Sequence, residues 1–560
     1  MDQDLLRGNP FFLDDESISW VLKTKESLSV KEKIGQIFIP ICSNYSNENF
    51  KRILRLRPGG IHRFLHADAN TLRAAAKFLQ KNTPIPLLMT TDLEFNCFNN
   101  LPEGTHLPTQ LGVAATGDEA MARRMGIVAG REGRYCGFNC SFTPSVDVSV
   151  NFHSPSVGNL SFGDDPDTVA AMAVEYVKGI QLEGMAACAK HWPGDGMDDR
   201  DQHLVTSRNS MDMEQWRKTY GKVYRAVIDA GVKTIMSSHI TLPEYFREKY
   251  PENTADKLLP GSISKELNLQ LLRGEFGFNG LIFSDATSMA GLTSLGPREE
   301  IVPMVIEAGC DVFLFSVDDD LDLAFLMKGY DSGLLSKERL EDAVTRVLAL
   351  KASLGLHRQQ KTGDFLLPES ERKSYFRSEE NITWESEIAE RSITLVKDTQ
   401  GLLPLTPEKH RKILFIHDIK RDTADFGPPL IIPSLMEDSG FEVSEYQEDT
   451  FVDPDIFNVI LYLAARQSGF CKGKYRIDWD DLQWGQARGM NRYWHMIPTL
   501  FISMGNPYHL YEVPRCKTYI NAYSPIVPVQ KALVDALIGK KPFFGQSPVD
   551  PFCGLEEAHL

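Results

Sequence analysis

The stretch GLIFSDATSMAGLTSLGPREEIVPMVIEAGCDVFLFS, Gly280 to Ser316, opens and closes on a short apolar run, GLIFSD and DVFLFS, with a segment of helical periodicity between them. Two such runs around a helical crossover read as a parallel βαβ unit. Six earlier runs repeat the pattern: IGQIFIPI (34–41), GGIHRF (59–64), IPLLMTT (85–91), GFNCSFTP (137–144), MAACAKH (185–191) and KTIMSSH (233–239). Eight strands alternating with helices over the first 350 or so residues predict an α/β chain that begins with a (β/α)₈ TIM-like barrel, with its active site at the C-terminal ends of the strands. The polar residues that end the runs then matter most: Asp92, Lys190, His191, His239 and Asp285.

The chain has 560 residues, well beyond the roughly 250–300 at which one hydrophobic core stops growing, so two domains are expected. The helical stretch KERLEDAVTRVLALKASLGL closes the barrel, giving it residues 1–357. A polar stretch, 358–389, reads as a linker with some helix. A second series of runs, SITLVKD, KILFIHDI, FNVILYLA and TLFISMG, predicts a smaller α/β sheet domain over 390–545, and residues 546–560 read as an extended strap.

Hydrophobic residues make up 42% and charged residues 24%, an ordinary globular balance. A formal charge of −16 argues against nucleic acid or an anionic membrane as partner, because both are met by clustered Lys and Arg. The start, MDQDLLRGNPFFLDDESISW, lacks the basic and apolar regions of a secretory signal, and no later run approaches ~20 apolar residues. The chain therefore reads as soluble and cytoplasmic, with a removed leader as the alternative. Nine scattered cysteines suit reduced core thiols better than a disulfide framework. Cys136 and Cys140 have a spacing that could bind metal, but no second pair lies near them.

After the fifth run comes KHWPGDGMDDRDQHL, Lys190 to Leu204. Lys190 and His191 at a strand end could donate hydrogen bonds to sugar hydroxyls, or form a buried satisfied pair. The Pro and Gly residues turn the chain sharply into a loop. On it, Asp201 and His203 are one residue apart. A carboxylate that holds one imidazole N–H fixes the tautomer and raises the basicity of the other nitrogen, which makes a general acid and base; a merely solvated acidic loop is the alternative. Glycoside hydrolysis needs a carboxylate to meet an oxocarbenium-like centre while another group protonates the leaving oxygen. Asp285 is the natural nucleophile, with a helix N-cap as its bland reading.

Lys190-His191-x-Pro193-Gly194-x-Gly196 followed by Asp201-x-His203, with Ser284-Asp285 before Met289, resembles the signature of the glycoside hydrolase family 3 β-N-acetylhexosaminidases. NPFFL, SVKEKIGQIF, SFGDDPDTVA, ERSITLVKDTQGLLPL and GNPYHLYEVP resemble other segments of the same family, so the similarity spans nearly the whole chain. The resemblance implies a retaining double displacement on a small carbohydrate, with Asp285 as nucleophile, His203 as acid/base oriented by Asp201, and Asp92, Lys190 and His191 holding hydroxyls. It implies no metal and no organic cofactor. Some family members use phosphate in place of water, so phosphorolysis stays open.

Two departures bear on the sugar. Family members carry an Arg in the segment where this chain reads Phe95 to Asn100, and another where it has Leu160 before Ser161-Phe162-Gly163. Both guanidinium groups are absent. Two readings of other classes remain: a metal-dependent barrel hydrolase with His191, Asp195, Asp201 and His203 as ligands, for which only His239 offers a further histidine from another strand end, and a non-catalytic sugar-binding protein.

Overall fold

The computed structural model describes residues 2–63, 67–94, 101–252, 258–419, 428–471, 476–483 and 485–560. All eight expected barrel strands form: β1 Phe38–Ile39, β2 Gly60–His62, β3 Leu88–Thr91, β4 Cys140–Ser141, β5 Ala186–Trp192, β6 Thr234–Ser237, β7 Leu281–Ala286 and β8 Val312–Leu314. Every pairing is parallel, and the order runs β1-β8-β7-β6-β5-β4-β3-β2. A bridge between Ile41 and His62, with Cys42 N donating to His62 O at 2.8 Å and His62 N to Pro40 O at 3.0 Å, joins the two ends of that order. The sheet thus closes into a barrel.

The interior is packed, as a barrel of this size requires. His62 on β2 stacks on Phe142 just beyond β4, at 5.2 Å between ring centroids. Phe142 meets Phe283 of β7 at 5.1 Å, and His62 meets Phe315 just beyond β8 at 4.7 Å. Rings from strands that are not neighbours touch through the barrel interior, so this layer fills it. Outside, helices Glu119–Tyr135 and Pro166–Leu182 pack closely. A Cβ on Gly126 would sit 2.3 Å from Tyr176 O, and one on Gly179 would sit 2.3 Å from Arg123 O, so only glycine permits this approach.

The first run departs from its simple reading. Ile34 to Gln36 belong to the helix Val30–Gln36, and only Phe38 and Ile39 pair as strand. A capping box explains it: the Ser29 hydroxyl accepts from Glu32 N while Glu32 accepts from Ser29 N, which starts a helix that runs into the apolar run.

The second sheet has six strands: β9 Thr394–Asp398, β10 Lys412–His417, β11 Glu442–Glu445, β12 Val459–Ala464, β13 Thr499–Ser503 and β14 Thr518–Asn521. Its order is β9-β14-β13-β12-β10-β11, with β9 antiparallel to β14 and the rest parallel. Alternate residues face two separate cores: Phe415, Leu461, Leu463 and Ile502 face one, and Leu414, Ile460, Tyr462 and Phe501 the other. Between the barrel and this sheet lie helices Leu356–Thr362 and Glu379–Ser392. Tyr508 and Tyr523 of the second sheet unit pack with Leu111 and Ala115 of the barrel. The end of the chain spans both parts: Gln546 N donates to Ala115 O at 2.8 Å, and Lys397 Nζ donates to Ala558 O at 2.6 Å. No helix among the described residues is long and apolar enough to cross a membrane.

Candidate active site

Asp285 sits inside β7 near its C-terminal end and is almost fully buried. It caps no helix, because the next helix, Ala290–Thr293, begins after Met289. Its Oδ2 accepts from Ser238 Oγ at 2.8 Å and its Oδ1 from Ala286 N at 2.7 Å. Burial acts to raise this carboxyl, but the imidazoles of His239, His191 and His203, with the Ser238 hydroxyl, outweigh it and hold Asp285 below the usual carboxylate range. Asp285 is therefore an anion kept ionised at a strand end.

The end of β5 carries Lys190 and His191. Lys190 Nζ pairs with Asp92 Oδ1 at 3.2 Å and, more closely, with Glu94. Burial disfavours its charge, yet the Glu94 and Asp92 carboxylates raise it above the ordinary lysine value. Asp92 also lies 3.4 Å from His62 Nε2, and Lys190 and His62 together overcome the cost of its burial, drawing it down to about 2. His191 Nδ1 meets Asp147 Oδ2 at 2.7 Å, and its backbone N–H donates to Asp147 Oδ1 at 3.1 Å. Burial opposes the His191 charge, but Asp147 prevails and raises it. Asp195 is buried beside Asp147, and both effects push its carboxyl up to about 6.

The loop that follows carries the dyad. His203 Nδ1 lies 2.6 Å from Asp201 Oδ1, which also accepts the His203 backbone N–H at 2.9 Å. This leaves Nε2 as the imidazole nitrogen available to another molecule. Burial tends to raise the Asp201 carboxyl, and the His203 hydrogen bond and charge reverse that, so it lies below the ordinary range. The loop is docked onto the turn after β7: Ala290 N donates to His203 O at 3.0 Å and Thr206 Oγ1 to Gly291 O at 2.6 Å. A Cβ on Gly291 would meet Gln202 O at 2.2 Å, so glycine is what lets loop and turn touch.

The structure thus brings Asp92, Lys190, His191, Asp201, His203 and Asp285 to one end of the barrel. Four partners escaped the sequence reading. Glu94 stands two residues past Asp92, Asp147 lies in the segment after β4, Ser238 adjoins His239 at the end of β6, and Cys471 comes from the second sheet unit, its N–H donating to Asp201 Oδ2 at 2.6 Å. Only Ser238 directly follows a strand end; Glu94 and Asp147 lie further along the segments after β3 and β4, and nothing in their sequence spacing pairs them with Lys190 or His191.

The ligand set of the metal-dependent reading does not converge. His191 and His203 each give Nδ1 to a different Asp, while His239 spends both nitrogens, Nδ1 on Ser262 Oγ at 2.8 Å and Nε2 on Ala286 O at 3.0 Å. No group of three His, Cys, Asp or Glu among the described residues is arranged to hold a metal ion. Cys136 and Cys140 are free, buried thiols. Leu160 ends a short 3₁₀ turn, Gly158–Leu160, and is half-buried. The Phe95–Asn100 segment lies outside the described residues.

A closed β/α barrel with a buried carboxylate at the end of β7 and an Asp–His pair on the loop after β5 presents the kinds of group that glycoside hydrolysis uses. The chain belongs to glycosyl hydrolase family 3, whose N-terminal domain description matches residues 29–350. It is 40% identical to a β-N-acetylglucosaminidase/β-glucosidase of Cellulomonas fimi, with 99% of this chain and all of that protein aligned. A β-hexosaminidase of Neisseria meningitidis serogroup C is 30% identical, over 49% of this chain and 76% of its own length. Among solved structures, the β-glucoside phosphorylase BglX superposes with a TM-score of 0.93 at 35% identity, covering 99% of this chain and all of the other. A family 3 β-N-acetylglucosaminidase from Paenibacillus shares the fold, with a TM-score of 0.78 over 94% of this chain and all of its own at 23% identity.

Proposed function

We propose that the protein is a retaining glycosidase that removes a terminal β-linked N-acetylhexosamine, or a modified relative, through a covalent glycosyl-enzyme. The observation that carries this reading is an Asp285 carboxylate kept anionic at the end of β7 while the Asp201–His203 loop is docked on the turn just after it. In the first step an Asp285 oxygen attacks the anomeric carbon, the bond to the leaving oxygen breaks, and that oxygen takes the proton from His203 Nε2. In the second step water attacks the same carbon, its proton returns to Nε2, and the ester to Asp285 breaks. Asp92, Lys190 and His191 bind sugar hydroxyls; Lys190 is already paired with Asp92 and Glu94, and His191 with Asp147, which fixes their positions before substrate arrives. Leu160, where the resemblance expects an Arg, leaves the distal hydroxyls less tightly read.

A second reading, phosphorolysis, is favoured by the end-to-end likeness to a β-glucoside phosphorylase. Its chemistry suits an imidazole base, which after giving up its proton is neutral and does not repel an incoming anion as a carboxylate would. Phosphate oxygen then replaces water in the second step. The deciding experiment offers p-nitrophenyl β-N-acetylglucosaminide and p-nitrophenyl β-glucoside with and without phosphate, and follows products by NMR. Free sugar released first as the β anomer supports the hydrolase, a sugar 1-phosphate supports the second reading, and release of sugar from neither glycoside refutes both readings for these two unmodified sugars.

A further inference from the structure

The acid/base pair is not held by the barrel alone. Beyond β12 the chain runs from Ala465 to Cys471, and its root is pinned to the second sheet unit. Ala465 N donates to Asp418 Oδ1 at 2.8 Å, Arg466 Nε to Asp418 Oδ2 at 3.2 Å, and Asn506 N to Arg466 O at 2.7 Å. Its tip is pinned to the barrel. Gly469 N donates to Pro155 O at 2.9 Å, and buried Ser468 packs so closely on Gly158 that a Cβ there would lie 1.8 Å from Ser468 Oγ. Held at both ends, the tip delivers two contacts to the dyad: the Cys471 N–H to Asp201 Oδ2 at 2.6 Å, and the Phe470 ring stacked on the His203 imidazole at 5.1 Å and 29°.

We propose that Phe470 and the Cys471 backbone N–H form a positioning element for the acid/base pair, supplied by the second sheet unit. This rests on the reading of His203 as acid/base. The two contacts divide the work. With Oδ1 already accepting two N–H groups of His203, the Cys471 N–H anchors the other carboxylate oxygen and so fixes the plane in which Asp201 meets the imidazole. One hydrogen bond at Nδ1 still lets the imidazole rock about its Cβ–Cγ bond; a ring lying against its face obstructs that rotation and keeps Nε2 aimed in one direction. Phe470 is otherwise 65% exposed, too open for its role to be core packing.

The test measures kcat/KM for aryl and alkyl β-glycosides of one sugar with increasingly basic leaving groups, in the full-length protein and in Phe470→Ala, Phe470→Tyr and His203→Ala. Stacked aromatic pairs contribute enough for a loss of about 3- to 10-fold. Phe470→Ala should show that loss on the most basic leaving groups, almost none on the most activated, and recovery in Phe470→Tyr, with an unchanged melting temperature. If His203→Ala is selective for basic leaving groups while Phe470→Ala is unchanged or loses equally on all of them, the positioning role is overturned and the acid/base reading stands. If His203→Ala itself loses equally on all of them, the acid/base reading falls and the positioning role with it.

Discussion

Asp201→Asn tests the dyad with the least change of shape. The carboxylate accepts three N–H groups: His203 Nδ1–H and the His203 backbone N–H on Oδ1, and the Cys471 N–H on Oδ2. An amide offers one oxygen and one NH₂, so one end must now face a donor. If the NH₂ faces His203, the imidazole can keep a hydrogen bond only by moving its proton to Nε2, the tautomer that cannot act as base in the second step. If it faces Cys471, donor opposes donor there and the charge of the pair is still lost. A hydrogen bond to a charged group contributes about 1.5–3 kcal/mol, which is roughly 10- to 150-fold in rate at 1.36 kcal/mol per decade. Losing directed proton transfer altogether removes about 10²–10⁴. The expected result is a fall in kcat/KM within about 10²–10⁴ on alkyl glycosides and under about tenfold on an activated aryl glycoside, whose leaving group needs no proton. Stopped-flow release of the aryl group and coupled assay of the alkyl substrate, with thermal melts to confirm folding, give both numbers. Equal losses on the two substrates, or near-native rates on both, would refute the assignment of Asp201 and His203.

Asp285→Gly should lose most activity, because no ester can form, and azide should restore turnover as an α-glycosyl azide detectable by NMR; a near-native rate without azide removes Asp285 from the nucleophile role. Lys190→Met leaves the Asp92 and Glu94 carboxylates without their cation, and breaking a buried pair in this way costs about 3–5 kcal/mol, read as a lower urea midpoint at unchanged slope; an unshifted midpoint shows that the charge is not structurally engaged. Asp195 binds its proton up to about 6 in the folded protein against an ordinary 3.8, so the folded state holds the extra proton between those values and stability falls as pH rises through that window. Asp195→Asn, which cannot titrate, should flatten the fall; urea melts at pH 4.5 and 7 that keep the native difference contradict this.

The barrel was readable because its strands are buried on both faces and so appear as continuous apolar runs between amphipathic helices. GLIFSD and MAACAKH fall on β7 and β5 almost residue for residue. The run 34–41 misleads because its apolar residues serve a helix first and a two-residue strand second, a division made by the Ser29–Glu32 cap and not by hydrophobicity. Two strands of the second sheet went unread for different reasons. β11, EVSE, is an edge strand with no fully buried residue, so it shows no apolar run. β14, TYIN, is wholly buried yet ends in an Asn whose Nδ2 donates to Pro507 O at 3.1 Å, a partner visible only in three dimensions.

The same limit governs the site. Residues that end a strand could be found one at a time, because the fold fixes where strand ends lie. Their partners could not, since Asp147 is 44 residues from His191, Ser238 is 47 from Asp285 and Cys471 is 270 from Asp201. Those partners decide the chemistry. Asp285, Asp92, Glu94, Asp147, Asp195 and Asp201 crowd one end of the barrel, where Lys190 is the cation paired directly with Asp92 and Glu94, and His191 and His203 are hydrogen-bonded to Asp147 and Asp201. A carboxylic acid in the place of His203 would become a further anion beside Asp92, Glu94, Asp147 and Asp201 once it gave up its proton, while Asp285 is held as the ester. An imidazole becomes neutral at the same moment. Together with Asp201 it lets the proton leave and return without adding a negative charge beyond those the site already carries, which is why an Asp–His pair suits this crowded group of carboxylates.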